Sequence, residues 1–210
     1  MKRTPDIRKL IAAAILQEEE SSLFGARLGR QLPRLRKRLI LPESGPISAL
    51  IGFVAAYIES VPGSITLVTA VSKQLGFYCY VAPFLHTAED YFIQPPNDID
   101  TDSGLEGLLD EAFVAHRLLE EVNDYHIARL GHPLLPLDMT HSNIIVHHLL
   151  GEPLANRLEN LVQDASSQLL PKAGLWKTTL QEIGSTRVWV FKNRLSDPEQ
   201  QIQLRTTPTM

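Results

Sequence analysis

The feature that most constrains the fold is the stretch 104–152, which has the pattern of two helices separated by Gly131-His132-Pro133. At about 100° per residue, one face of the first helix collects the apolar residues Leu105, Leu108, Leu109, Ala112, Leu119, Ile127 and Leu130. The same face also carries His116, Glu120 and Asn123. Solvent is the predicted environment of Asp110, Glu121, Asp124 and Arg129. The sequence therefore predicts polar groups, two of them able to exchange protons, that face the core.

The composition fits one soluble globular domain. The chain has 210 residues, of which 44% are hydrophobic and 21% charged, so it can bury a substantial core. Its net charge of −4 does not favour nucleic acid. The single cysteine, Cys79, excludes an internal disulfide, and its apolar neighbours predict a buried, inert thiol in a reducing cytoplasm.

Helical patterns account for most of the chain. We expect six or seven helices, mostly α, in one bundle domain over residues 1–170. One apolar helix is predicted near 46–59 and another over 64–75, separated by a turn at Val61-Pro62-Gly63. Pro83 is expected to begin the next helix. The N-terminal stretch lacks the pattern of a signal peptide, and no uninterrupted apolar segment is long enough to cross a membrane.

From residue 171 onwards the composition changes to β-branched and aromatic residues. Gly184-Ser185 separates two such runs, which predicts a small β-hairpin over 171–195 with strands near 175–183 and 186–193. A lone hairpin is marginal in water, so we expect it to pack on the bundle. Residues 196–210 are predicted to form a short helical turn and a frayed tail.

A basic cluster lies between the first two apolar helices. It contains Arg27, Arg30, Arg34, Arg36, Lys37 and Arg38. One hypothesis is an anion site for RNA, phosphate or an acidic partner. The alternative is a solvated face that balances the acidic remainder, which the absence of interleaved aromatic residues favours.

Polar residues at inward positions of four helices form the candidate internal site. The possible metal ligands among them are Glu18, His86, Glu89, His116, Glu120 and His147. Glutamates and histidines from several helices build di-iron and di-manganese sites, so iron, manganese or zinc is the implied cofactor. The usual Glu-x-x-His motif is absent, however, and the pairs found are His86-x-x-Glu89 and His116-x-x-x-Glu120.

A purely structural role is the alternative for these residues. His116 and Glu120 have the spacing of an intrahelical ion pair, and Asn123 and Asn143 could tie helices together by hydrogen bonds. No catalytic residue can be assigned, because the chain lacks a Gly-x-Ser-x-Gly elbow, a phosphate-binding loop and a dinucleotide fingerprint.

Three functions follow from these patterns. The first is a cytoplasmic binding or interaction protein whose buried polar cluster is structural, with an acidic protein or a second copy of the chain as partner. The second is a metal-dependent, di-iron-like helical oxidoreductase. The third is a carrier of an apolar small molecule that uses the wall formed by residues 46–92.

Overall fold

The computed structural model describes residues 4–93, 104–130, 135, 138–169 and 202–205. It confirms the expected helical bundle, since these residues form seven helices and one small antiparallel sheet. The helices are α1 (Thr4–Ser21), α2 (Leu23–Leu35), α3 (Pro46–Gln74), α4 (Tyr78–Ile93), α5 (Leu105–Leu130), α6 (Thr140–Leu150) and α7 (Glu152–Leu169). The strands are β1 (Leu39–Ile40) and β2 (Gln203–Leu204).

Helix α5 forms the centre of the bundle. It packs against α1, α3, α4, α6 and α7. The prediction that Asp110 faces solvent is therefore wrong, since this residue is only 5% exposed. Ile127 lies in the last turns of the same helix and is exposed, although the pattern predicted it in the core.

Helix α3 runs unbroken through Pro62, so the predicted turn at residues 61–63 is wrong. A proline inside a helix removes the N–H that would donate to the carbonyl four residues earlier, here that of Ile58. Burial of Val61, Pro62 and Ile65 in the core outweighs this local preference for a break.

Because α3 is continuous, it is long enough to span a membrane. Among the described helices, α3 is the one whose length and composition would allow it to cross a membrane, with a mean hydropathy of 1.5 in a window that is 50% buried inside the protein. Buried core helices of soluble proteins have the same composition. The expectation that the chain has no membrane span therefore stays a prediction.

Helix α4 begins at Tyr78, five residues before the predicted start at Pro83. Its first turn points Val81 into the core and leaves Cys79 exposed. The prediction of a buried thiol is thus wrong, because the apolar run around Cys79 is helical and has an outer face.

The small sheet pairs β1 with β2 in antiparallel register, with Leu39 opposite Leu204 and Ile40 opposite Gln203. The Arg205 N–H donates to the Arg38 carbonyl at 2.8 Å and extends the pairing by one residue. The predicted hairpin strands near 175–183 and 186–193 lie outside the described residues.

Glu18 joins α1 to α2 through a backbone cap. The chain turns at Ser22, which has a φ of 53°. The Phe24 and Gly25 N–H groups donate to the two carboxylate oxygens of Glu18 at 2.9 and 2.8 Å. A carboxylate at this position satisfies the free N–H groups of a helix start and complements its positive dipole. Glu18 is buried, as predicted, and its environment is that of a cap.

We expect Glu18→Ala to lower the free energy of unfolding by about 2 kcal/mol, because two N–H groups at the start of α2 lose their acceptor. Urea denaturation followed by circular dichroism measures the loss. Glu19→Ala is the control, since Glu19 is exposed and should change stability by less than about 0.5 kcal/mol. Equal stability of the two variants would contradict the capping role.

Candidate functional site

The six predicted metal ligands lie in different environments. Glu18 caps α2, His86 is exposed on α4, and Glu89 is buried in α4. His116 faces α3, whereas Glu120 and His147 line a cleft beside α6. Within the described ranges, no group of three or more His, Cys, Asp or Glu side chains is arranged to hold a metal ion. The structure therefore does not bring the six together.

His116 is buried and contacts α3. Its Nε2 lies 2.9 Å from Ser60 Oγ and 3.2 Å from the Tyr57 carbonyl oxygen, and its ring centroid is 4.7 Å from that of Tyr57. Burial lowers the pKa of His116 to about 4, against smaller opposing effects of the Tyr57 carbonyl and Glu120. His116 is therefore neutral at pH 7, and the charged pair with Glu120 that the spacing predicted does not form.

The contacts of His116 also decide what Ser60 can do. Because the Tyr57 carbonyl can only accept, it favours the tautomer with hydrogen on Nε2, and Ser60 Oγ donates to the same carbonyl. The Nδ1 atom is buried without a hydrogen-bond partner. A nucleophilic serine needs a histidine nitrogen that accepts its proton and a carboxylate behind that histidine. Neither is present here, so Ser60 and His116 do not form a catalytic dyad.

A second polar group connects α3, α5 and α6 through Asn143. Tyr57 Oη donates to Asn143 Oδ1 at 2.6 Å, and Asn143 Nδ2 donates to Glu120 Oε2 at 2.7 Å. Thr140 Oγ1 donates to the other oxygen of Glu120 at 2.7 Å. Burial, with a smaller effect of Glu120, raises the pKa of Tyr57 well above its usual value. The phenol is therefore a stable donor that fixes the orientation of the Asn143 amide.

Arg117 joins this group to α7. Its guanidinium contacts the carboxylates of Glu120, Glu121 and Glu159, the last two at 3.1 and 3.2 Å. Glu120 and Glu121 lie three and four residues after Arg117 on α5, so they share its side of the helix. Three carboxylates around one guanidinium leave negative charge in excess.

These residues form the wall of a cleft of about 390 Å³ between α5, α6 and α7. Its lining consists of Arg117, Glu120, Asp124, Thr140, Asn143, Ile144, His147 and Glu159. We call this the α6 cleft. Its volume lies in the range of small-ligand sites, which is roughly 300–1,000 Å³.

Two acids hold their protons more tightly than usual, Glu121, which contacts Arg117, and Asp124, which lines the α6 cleft. Burial raises the pKa of Glu121, which Arg117 partly opposes. Partial desolvation and, to a smaller extent, the charge of Glu120 raise the pKa of Asp124, although its side chain is exposed. These shifts agree with an excess of carboxylates, which an added cation would relieve.

Asn123, the other predicted inward amide, anchors the connection between α5 and α6. The Leu135 N–H donates to Asn123 Oδ1 at 2.6 Å, and Asn123 Nδ2 donates to the Leu135 carbonyl at 3.1 Å. Asn143 thus ties helices together, as the sequence suggested, whereas Asn123 holds the backbone of Leu135 instead of the helix contact that the sequence suggested.

The basic cluster divides into residues with internal contacts and residues on the surface. Arg27 pairs with Glu106 of α5. Arg34 Nη2 donates to the His148 carbonyl at 2.9 Å, at the C-terminal end of α6 where a cation is favoured. Arg30, Arg36, Lys37 and Arg38 are exposed.

Sequence reasoning missed several residues of the α6 cleft. The spacing of Arg117, Glu120 and Glu121 along α5 was sufficient to predict ion pairs between them. No spacing in the sequence links Tyr57 or Glu159 to Glu120. They come close to Glu120 only because α3 and α7 pack against α5.

Comparison of the sequence with protein-family models and with curated proteins, and of the structure with solved structures, finds no match.

Proposed function

We propose that this protein is a helical binding protein whose α6 cleft binds a small organic cation, such as an amine. The observation that carries the proposal is the lining of the cleft. Glu120, Asp124 and Glu159 face it from two helices, and the guanidinium of Arg117 is already engaged by carboxylates. A cationic ligand would find carboxylate acceptors there, whereas an anionic ligand would have to displace Glu159 or Glu120 from Arg117.

The groups behind the lining support a preformed site. Glu120 accepts from Thr140, Asn143 and Arg117, and Asn143 accepts in turn from Tyr57. A carboxylate with this many donors is restrained before a ligand arrives, which lowers the entropy cost of binding. The exposed Ile144 adds an apolar surface for the carbon skeleton of an amine.

Asp124 offers the cleanest test, since it is an exposed lining residue. We expect phenethylamine and 1,5-diaminopentane to bind the wild type saturably in isothermal titration calorimetry, and the matching alcohols not to bind. Asp124→Asn should weaken amine binding about 5- to 10-fold, the effect of one partly screened charge pair. Asp164→Asn is the control, because Asp164 is an exposed acid of α7 outside this lining.

The affinity should also fall as the pH drops through the raised pKa of Asp124, because the protonated carboxyl no longer attracts a cation. Equal binding of amine and alcohol would contradict the proposal. Equal losses in Asp124→Asn and Asp164→Asn would also contradict it, since the effect would then come from net charge alone.

The oxidoreductase alternative has less support, because its six proposed ligands are dispersed over the bundle. Elemental analysis of protein purified without chelator tests it. Near-stoichiometric iron, manganese or zinc that is lost in Glu120→Ala would bring that alternative forward and count against an amine site at the same carboxylate.

One specific observation supports the alternative that the protein carries an apolar small molecule. A groove of about 400 Å³ lies along α1 and α3 and includes Ile15, Ile51 and Ala55. A neutral apolar dye such as Nile red should gain fluorescence there if the groove takes apolar ligands, and Ala55→Glu should abolish the gain. The carboxylates of Glu18 and Glu19 on the same groove make it less suited to a purely apolar molecule than the α6 cleft is to a cation.

A further inference from the structure

The exposed cations after α2 form a second surface, separate from the lining of the α6 cleft. Arg36, Lys37 and Arg38 follow one another in the turn between α2 and β1. The backbone bond from the Arg205 N–H to the Arg38 carbonyl brings a fourth cation to this turn. His148 lies at the end of α6 held by Arg34, and the nearby charges of Arg38 and Arg34 act on its ring.

We propose that the basic surface, defined as Arg36, Lys37, Arg38, Arg205 and His148, docks an acidic peptide segment of a partner protein. In the part of the chain that the structure describes, no carboxylate forms an ion pair with any of its three arginines or with Lys37. Glu152 is the acid close enough to affect His148, and it belongs to the first turn of α7. These cations are therefore available to the carboxylates of a partner.

The extent of the basic surface favours a peptide over nucleic acid. The spacing of Arg27, Arg30 and Arg34 predicts a longer basic face on α2. However, Arg27 pairs with Glu106 and Arg34 donates to the His148 carbonyl, so both already have partners within the protein. What remains is a short patch on a chain of net charge −4, which would repel an extended polyanion beyond the patch. The five residues that define this surface also include no Phe, Tyr or Trp, the residues on which single-stranded bases stack.

An apolar residue next to the cations also suits a peptide. Ile40 of β1 is 45% exposed and stands two residues after Arg38. An acidic peptide with an apolar side chain would satisfy both, with charge providing orientation and Ile40 a contact that excludes water.

His148 provides a reporter for occupancy of this surface. Burial lowers its pKa, and His147, Arg38 and Arg34 lower it further, whereas Glu152 raises it. A carboxylate bound beside the ring would raise the pKa of His148, so binding would take up protons. The affinity for an acidic peptide should therefore increase as the pH falls towards the lowered pKa of His148.

The test uses a fluorescein-labelled twelve-residue peptide of repeated Asp-Glu-Leu, with a Ser-Gln-Leu peptide as neutral control, in fluorescence polarisation with the full chain. We expect saturable binding of the acidic peptide alone. The triple variant Arg36→Gln, Lys37→Gln, Arg38→Gln should weaken it at least tenfold. The triple variant Arg8→Gln, Lys9→Gln, Lys73→Gln, with the same change in charge at exposed positions elsewhere, should weaken it less than threefold.

Several results would overturn the proposal. These are absence of binding at low salt, equal losses in the two triple variants, an unchanged pKa of His148 in an NMR titration with peptide, or tighter binding of a single-stranded oligonucleotide or of vesicles containing phosphatidylserine. Asp124→Asn should leave peptide binding unchanged, so the outcome is independent of the α6 cleft.

Discussion

At about pH 9 we expect the Glu111→Gln variant to be more stable than the wild type by about 2–4 kcal/mol. Glu111 lies on α5, and its Oε2 is buried without a hydrogen-bond partner. Burial, with a smaller effect of Asp110, raises its pKa from 4.5 to about 8. A carboxyl with a raised pKa takes up a proton on folding, so its contribution is fully present below pH 4.5 and is lost as the pH rises through about 8. Glutamine cannot ionise and avoids this loss.

Urea denaturation at several pH values measures the effect. The stability difference between Glu111→Gln and the wild type should be near zero at the acidic end, grow across the window between the two pKa values and level off above it. Glu59→Gln is the matched control, because it removes one exposed carboxyl from α3. A difference for Glu111→Gln that does not depend on pH would show that the carboxyl has the same pKa in the folded and unfolded states and would contradict the prediction.

The second large effect is expected for Arg117→Met, with a loss of about 2–4 kcal/mol at neutral pH. The guanidinium side chain is 16% exposed, and the Glu120 carboxylate that it contacts is 12% exposed, so water cannot replace it fully. Removal leaves Glu120, Glu121 and Glu159 facing one another without a cation. Like charges at short distance then oppose folding.

The pH dependence separates this cause from lost packing. As the pH falls, Glu121, whose pKa is raised, takes up a proton, so the penalty of Arg117→Met should shrink, whereas a packing defect would persist. Arg117→Lys keeps the charge but not the forked geometry, so an intermediate loss is expected. Arg8→Met on the exposed side of α1 is the control. A loss in Arg117→Met that stays constant down to about pH 4 would argue for packing.

The predictions from sequence succeeded where a helix has one apolar stripe. α5 and α6 lie on either side of the predicted break at Gly131-His132-Pro133, and the apolar stripe predicted for α5 is buried over most of its length. The predictions failed where tertiary contacts decide. Pro62 stays inside α3 because it and its neighbours are buried in the core, and Asp110 is buried because five helices surround α5.

The candidate site was predicted in part for a similar reason. The pattern placed His116, Glu120, Asn123 and Asn143 inward, and each of them makes the contacts of a buried or half-buried polar group. It could not show that His116 turns to α3 while Glu120 turns to α6, since both share one side of α5 in a helical projection. The approach of Glu159 depends on how α7 crosses α5, which a single sequence does not reveal.

The pairing of β1 with β2 has a consequence for the order of folding. It joins residue 39 to residue 204, so the two strands can meet only after the intervening chain has become compact. Helical contacts between neighbours along the chain form first, and the strand pair is expected to close late and to open first. The amide of Arg205 should therefore exchange with deuterium by a local opening, well before the amides in the middle of α5, whose exchange requires the whole bundle to unfold.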